Sequence, residues 1–236
     1  MKQKLLALIL IISMLMGISS ISYASPFNMD SLNLQYNGYM SEDGYHETGS
    51  YVLKGITYEY VQHTTNDGKI YLDVYQISNA RSANNKIKTQ EICADLNANI
   101  MFVNGETLNL VTNDCNTSSD NGIATYGEIY NAVFTGNTLA IDIARYSAET
   151  LAVQLISWSF GGVIGVGVSL VLSIAVSIIE GYSGTFYADY KRFVTTELFP
   201  LEYPGYSAVN KISCQYFNHS TGTAVGKTRE YIDLVI

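Results

Sequence analysis

Catalysis and metal binding need titratable or nucleophilic side chains held at fixed distances, and this sequence offers few. His46, His63 and His219 are scattered, without a cysteine or acidic partner at a spacing that suits a metal or a proton relay. His63 is expected to approach Asp73 across a hairpin, as an ordinary cross-strand pair. Cys93, Cys115 and Cys214 form no Cys-x-x-Cys pair, and no His-x₃₋₅-His pair stands beside them, so the spacing indicates no zinc site. Glu42 and Asp43 are adjacent carboxylates in a polar loop and are expected to be solvated. Asp114, Asn116, Asp120 and Asn121 offer oxygens, but their spacing misses that of the twelve-residue calcium loop. Gly162, Gly165 and Gly167 lack the lysine and the polar helix start of a phosphate loop. The run Gly181, Tyr182, Ser183, Gly184 falls short of a nucleophile elbow. The expectation is a non-enzyme with no catalytic residue, cofactor or metal.

Composition narrows the class further. The chain is 47% hydrophobic and 14% charged, against about 25% charged in ordinary globular domains. Its net charge is −8. An acidic surface repels phosphate backbones, so a nucleic-acid partner is excluded. Lys2 and Lys4 precede an apolar run from Leu5 to Ile21, and Ser22 and Ala24 supply small residues for cleavage. That build is a secretory signal peptide over 1–24, with a secreted, extracellular product. Export permits one disulfide. Three thiols allow three single pairings; Cys93–Cys115, which closes a short loop, is the pairing expected, and three unpaired thiols are the alternative.

The elements follow from hydrophobic period. Residues 25–136 read as strand-rich, with loop and short strand as far as residue 55. Ile56, Tyr58 and Tyr60 alternate with polar residues, Asn66-Asp67-Gly68 turns, and Ile70, Leu72 and Val74 alternate again. A second hairpin is expected at Ile100–Val103 and Leu108–Val111 through Asn104-Gly105. Asn137 can cap an amphipathic helix over Thr138–Trp158. Residues 182–236 return to strand, with a closing hairpin of Lys211–Phe217 and Thr228–Val235 around Ser220-Thr221-Gly222. The fold expected is α+β: antiparallel strands flanking a central apolar helical hairpin over 137–181, with 25–236 as one domain.

The segment between Glu149 and Glu180 carries no charge, and Phe160–Ile179 is its densest part. Ser157, Gly161, Gly165, Ser169, Ser173, Ser177 and Gly181 recur every four residues. On a helix this forms a ridge of small side chains that lets a second helix approach closely, with Trp158 at one end and Val168 near the centre. Alternation from Ile164 to Ile178 also fits a strand, and so resembles the stem of a β-barrel pore-forming toxin; fifteen residues without a turn are long for one. As a helix, the segment has three readings: a buried core helix, a fixed membrane anchor with Lys191 and Arg192 on the cytoplasmic side, or an element stored in a soluble shell that inserts into a target membrane.

The signal at 1–24, the strand-rich flanks and the Gly/Ser-diluted segment Trp158–Ile179 together resemble the large secreted bacteriocins of the geobacillin type. The resemblance lies in organisation rather than in a short motif. It implies an antibacterial protein that acts on a target bacterial membrane by insertion or permeabilisation, with an immunity protein as a further partner. The rival expectation is a non-enzymatic envelope or matrix protein that binds a partner through its tyrosine-rich strands.

Overall fold

A computed structural model describes residues 32–78, 85–111, 129–135, 138–160, 165–197 and 208–235. The first half is a meander of short-turned antiparallel strands. β1 (Gln35–Ser41), β2 (Gly44–Leu53), β3 (Ile56–Thr65), β4 (Lys69–Ser78), β5 (Asn85–Asp95), β6 (Ile100–Val103) and β7 (Glu106–Asn109) form one sheet in chain order. Turn chemistry sets their register. Lys54 and Gly55 both have positive φ, at 52° and 77°, the geometry of the two-residue turn that matches strand twist. Asn104 and Gly105 repeat it between β6 and β7.

The second half builds a separate sheet in the order β12-β11-β10-β8, with β9 also paired to β10. Its strands are β8 (Ile129–Thr135), β9 (Leu139–Asp142), β10 (Thr185–Glu197), β11 (Ala208–Asn218) and β12 (Ala224–Val235). Two helices of thirteen residues, α1 (Ala148–Phe160) and α2 (Ser169–Gly181), separate β9 from β10 in the chain.

These elements overturn the expected fold class. The chain is mostly β, in two antiparallel sheets, and has no central apolar helical hairpin flanked by strands. The predicted helix over 138–158 breaks at its start. Leu139 and Ile141 are buried on β9, against β10, and Ile143–Arg145 is a 3₁₀ turn capped by Asp142. A helix cannot satisfy both the β9 pairing and the alternation of Leu139, Ala140, Ile141 and Asp142. The early polar stretch, expected as loop and short strand, holds strands of seven and ten residues. Asn, Ser, Thr and Tyr obscured their period, yet β2 buries Glu47 and Tyr51 at spacing four on one face.

Both sheets turn one face to a shared core. Ile70, Leu72 and Val74 of β4 alternate inward, as do Phe186, Ala188 and Tyr190 of β10 and Ile212, Cys214 and Tyr216 of β11. All thirteen residues of α1 are buried. Its polar side chains reach the segment after β7 and the second sheet: Gln154 exchanges hydrogen bonds with the backbone of Val111, and Ser159 Oγ bonds Tyr216 Oη at 2.8 Å. Trp158 packs edge-on against Tyr190, with ring centroids 4.7 Å apart. At about 1.5 Å per residue each helix is about 20 Å long, short of a ~30 Å hydrocarbon core. Among the described residues no helix is long and apolar enough to cross a membrane.

Candidate functional site

The most unusual buried group is Glu47, on the inner face of β2 and 1% exposed. Four donors meet its carboxylate. Tyr45 Oη donates at 2.8 Å, Tyr60 Oη at 3.0 Å, the Ser169 amide at 2.9 Å and Ser169 Oγ at 2.7 Å. The carboxylate thereby closes the amino end of α2, where unpaired amides and the helix dipole favour negative charge. Burial and the Glu47 charge push the Tyr45 and Tyr60 hydroxyls up, so both stay donors. Beside it on β3, Gln62 accepts from the Val168 amide at 2.7 Å. Its Nε2 donates to the Val166 carbonyl at 3.0 Å and to Thr64 Oγ1 at 2.9 Å. Every group here has its partner, which makes this a structural clasp and not a reactive site.

A second buried carboxyl, Glu149 at the start of α1, accepts a hydrogen bond from Tyr51 Oη. Burial raises its pKa. It lines a cavity of about 270 Å³ with Leu53, Tyr58, Gln90, Ser147 and Ile179. Glu180 of α2 lines it too, ion-paired with Lys54 at 2.9 Å; among the described residues no histidine, cysteine or lysine lines the cavity. Across the second sheet, Thr138, Asp189 and His219 meet at the surface. His219 Nδ1 lies 2.8 Å from Asp189 Oδ2 and 3.2 Å from Thr138 Oγ1. Both partners share one ring nitrogen, so the proton relay of a hydroxyl–imidazole–carboxylate triad, which uses both nitrogens, is not formed.

The outer face of the seven-stranded sheet carries a row that crosses six strands. Tyr39, His46, His63, Tyr71, Cys93 and Phe102 are successive cross-strand partners from β1 to β6. Tyr39 stacks on His46 at 5.2 Å, His46 on His63 at 4.3 Å, and His63 on Tyr71 at 6.3 Å between ring centroids. Asp43, in the turn before β2, meets this row: its Oδ1 lies 3.0 Å from His46 Nε2 and its Oδ2 3.4 Å from His63 Nε2. The hydrogen bonds from His46 and Ser41 hold the Asp43 carboxyl down at about 2. The register corrects the expected partner of His63: Tyr71 lies opposite it, and Asp73 lies opposite Val61. Asp73 pairs instead with Lys88, at 2.9 Å. It also corrects the reading of three scattered histidines. His46 and His63 stand eight residues either side of Lys54-Gly55, so a recognised two-residue turn would have paired them from sequence.

A cleft of about 450 Å³ opens between the edges of the two sheets. Tyr36 of β1 and Lys227–Glu230 of β12 line it, with Ser169 and Ser173 of α2. Among the described residues β1 pairs only with β2, and all seven of its residues are exposed.

The small-residue ridge is distributed over several settings. Ser157 and Trp158 are buried in α1, and Val168 and Ser169 begin α2. Ser173 is buried and accepts a hydrogen bond from Arg229 of β12, while Ser177 is half-buried and Gly181 exposed at the end of α2. Gly165 sits before α2 at φ 100°, so a turn, not helix, occupies that position. Gly161 lies outside the described residues, as do Cys115, and with it the Cys93–Cys115 pairing, the 113–122 loop and the signal segment 1–24. Cys214 is buried, and burial pushes its thiol up to about 11.

The fold and these sites define a two-sheet antiparallel β protein whose helices belong to its core. Compared with family models, curated proteins and solved structures, the chain matches none.

Proposed function

We propose that the protein is an exported, non-enzymatic binding protein that takes an extended partner segment by strand addition along β1. The observation that carries this reading is the edge itself. Gln35–Ser41 are all exposed, with Tyr36 at 62% and Met40 at 58%, and the strand holds neither charge nor proline. Sheet edges normally carry such blocking residues, because a bare edge recruits another strand. An added strand gains main-chain hydrogen bonds, and the rings of Tyr36 and Tyr39 supply side-chain contacts. The cleft shared with β12 gives alternate side chains of the added strand a place to enter. Export rests on Lys2, Lys4, the apolar run Leu5–Ile21 and the small residues Ser22 and Ala24.

A second reading is the bacteriocin-like one, with a bacterial membrane as target and an immunity protein as partner. The observation that favours it is α1 with α2: among their residues only Glu149 and Glu180 are charged. One experiment separates the two. Purified, folded protein is added to dye-loaded liposomes and to bacterial cells. Strand addition predicts intact liposomes and saturable cell binding, weakened about tenfold or more by Tyr36→Lys with Met40→Lys, which blunt the edge. Dose-dependent dye release by the folded wild type transfers the conclusion to membrane attack.

A further inference from the structure

We infer that Asp43, His46 and His63 form a binding site for a divalent transition-metal ion of the zinc or copper class. The site belongs to the outer face of the seven-stranded sheet and stands independently of strand addition at β1.

Three observations carry it. Two imidazoles and one carboxylate are brought together, with one ligand atom from each lying within 4.8 Å of the others; the two rings are stacked, so binding turns their nitrogens toward a common point. In a tetrahedral zinc site, ligand atoms at about 2.1 Å from the ion lie about 3.4 Å apart; here the Asp43 carboxylate reaches each ring with a different oxygen, Oδ1 at 3.0 Å from His46 Nε2 and Oδ2 at 3.4 Å from His63 Nε2. His63 Nε2 is buried and makes no well-aligned hydrogen bond, its neighbour Asp43 Oδ2 lying at 3.4 Å, and metal binding would satisfy it. The scaffold is also rigid: both histidines sit on paired strands in direct register, and Asp43 is tied to the turn through Ser41 Oγ. Imidazole with carboxylate suits zinc and copper better than calcium or magnesium, which prefer oxygen alone. Three protein ligands leave one position open at a half-exposed surface. A water or a donor from another molecule would complete the shell.

The test uses the purified chain and Zn²⁺ alone, followed by calorimetry, with Cu²⁺ as a spectroscopic probe. Wild type should bind one Zn²⁺ per chain. His46→Gln, His63→Gln and Asp43→Asn should each weaken binding by at least about tenfold, while His219→Gln leaves it unchanged. Bound Cu²⁺ should show paramagnetic-resonance coupling to two imidazole nitrogens, reduced to one in either histidine variant. If a variant loses its far-ultraviolet circular dichroism, the wild type still decides the matter. Zn²⁺ should then shield His46 and His63, but not His219, from diethyl pyrocarbonate, read by peptide mass. Undiminished one-to-one binding in a folded His46→Gln/His63→Gln protein would overturn the site. So would the absence of stoichiometric binding by wild type up to about 1 mM Zn²⁺.

Discussion

At the scale of single residues, the two buried glutamates sit in different surroundings. Glu47 meets four donors and a helix terminus, whereas Glu149 has one tyrosine hydroxyl and a partly apolar cavity. Burial therefore raises the Glu149 pKa above the ordinary glutamate value. A carboxyl that binds its proton more tightly when folded makes the fold less stable as pH rises. The loss begins near the unfolded value, about 4.5, and is complete above the raised folded one. Glu149→Gln removes the charge and keeps an acceptor for Tyr51 Oη. The variant should be more stable than wild type at pH 7, by on the order of 1 kcal/mol. That advantage should fade toward zero below pH 4. Urea midpoints across pH 3–8 measure it; an advantage that persists at low pH would refute the titration account.

At the scale of elements, the start of α2 is fixed by what approaches it. A Cβ at Gly167 would occupy the space of the Glu47 carboxylate. Gly167→Ala should therefore push that carboxylate off its donors and cost about 3 kcal/mol, a value set by leaving a buried charge poorly paired. The urea midpoint should fall with an unchanged slope. Gly181→Ala, at the exposed end of the same helix with open space around it, should change stability little.

The elements also show what the sequence could reveal. Hairpins around Asp67-Gly68, Asn104-Gly105 and Ser220-Thr221-Gly222 were legible, because turn residues and alternation agree there. β1 and β2 were not: β1 is exposed throughout and carries no buried period, and the inward positions of β2 hold Glu47, Gly49 and Tyr51 instead of aliphatic residues. The helix boundary at 138–147 was hidden for another reason. Leu139, Ile143 and Tyr146 carry helical spacing, but pairing with β10, which lies far along the chain, decides the conformation. The metal-ligand set escaped for a related cause: metal motifs are read as short spacings, and this one is assembled by a hairpin.

At the scale of the whole molecule, the two sheets share no hydrogen-bonded strand among the described residues, yet α1 touches both. Tyr51 and Gln90 belong to the first sheet, and Tyr190 and Tyr216 to the second; all four have partners on α1 or immediately before it. A shared core of this kind should unfold as one unit. Trp158 is the sole tryptophan, buried against the second sheet, so its fluorescence reports that half. Far-ultraviolet circular dichroism reports strands from both. The two signals should give coincident urea transitions. A tryptophan signal lost at lower urea would mean that the second sheet melts alone.

The Lys54-Gly55 turn has a consequence for how such a chain can vary by insertion and deletion. It acts as a mirror: residues equidistant from it become neighbours, and successive pairs point to opposite faces. Glu47 opposite Gln62 faces the core, and His46 opposite His63, one step further out, faces solvent. Many substitutions between Thr48 and Leu53 leave that assignment intact. Loss or gain of a single residue there does not. It carries the glutamate outward and the histidine inward, disconnecting the helix clasp and the outer cluster together. Descendants of this chain can therefore change residue type at the hairpin's exposed positions, such as Thr48, more readily than its length, unless a bulge absorbs the added residue.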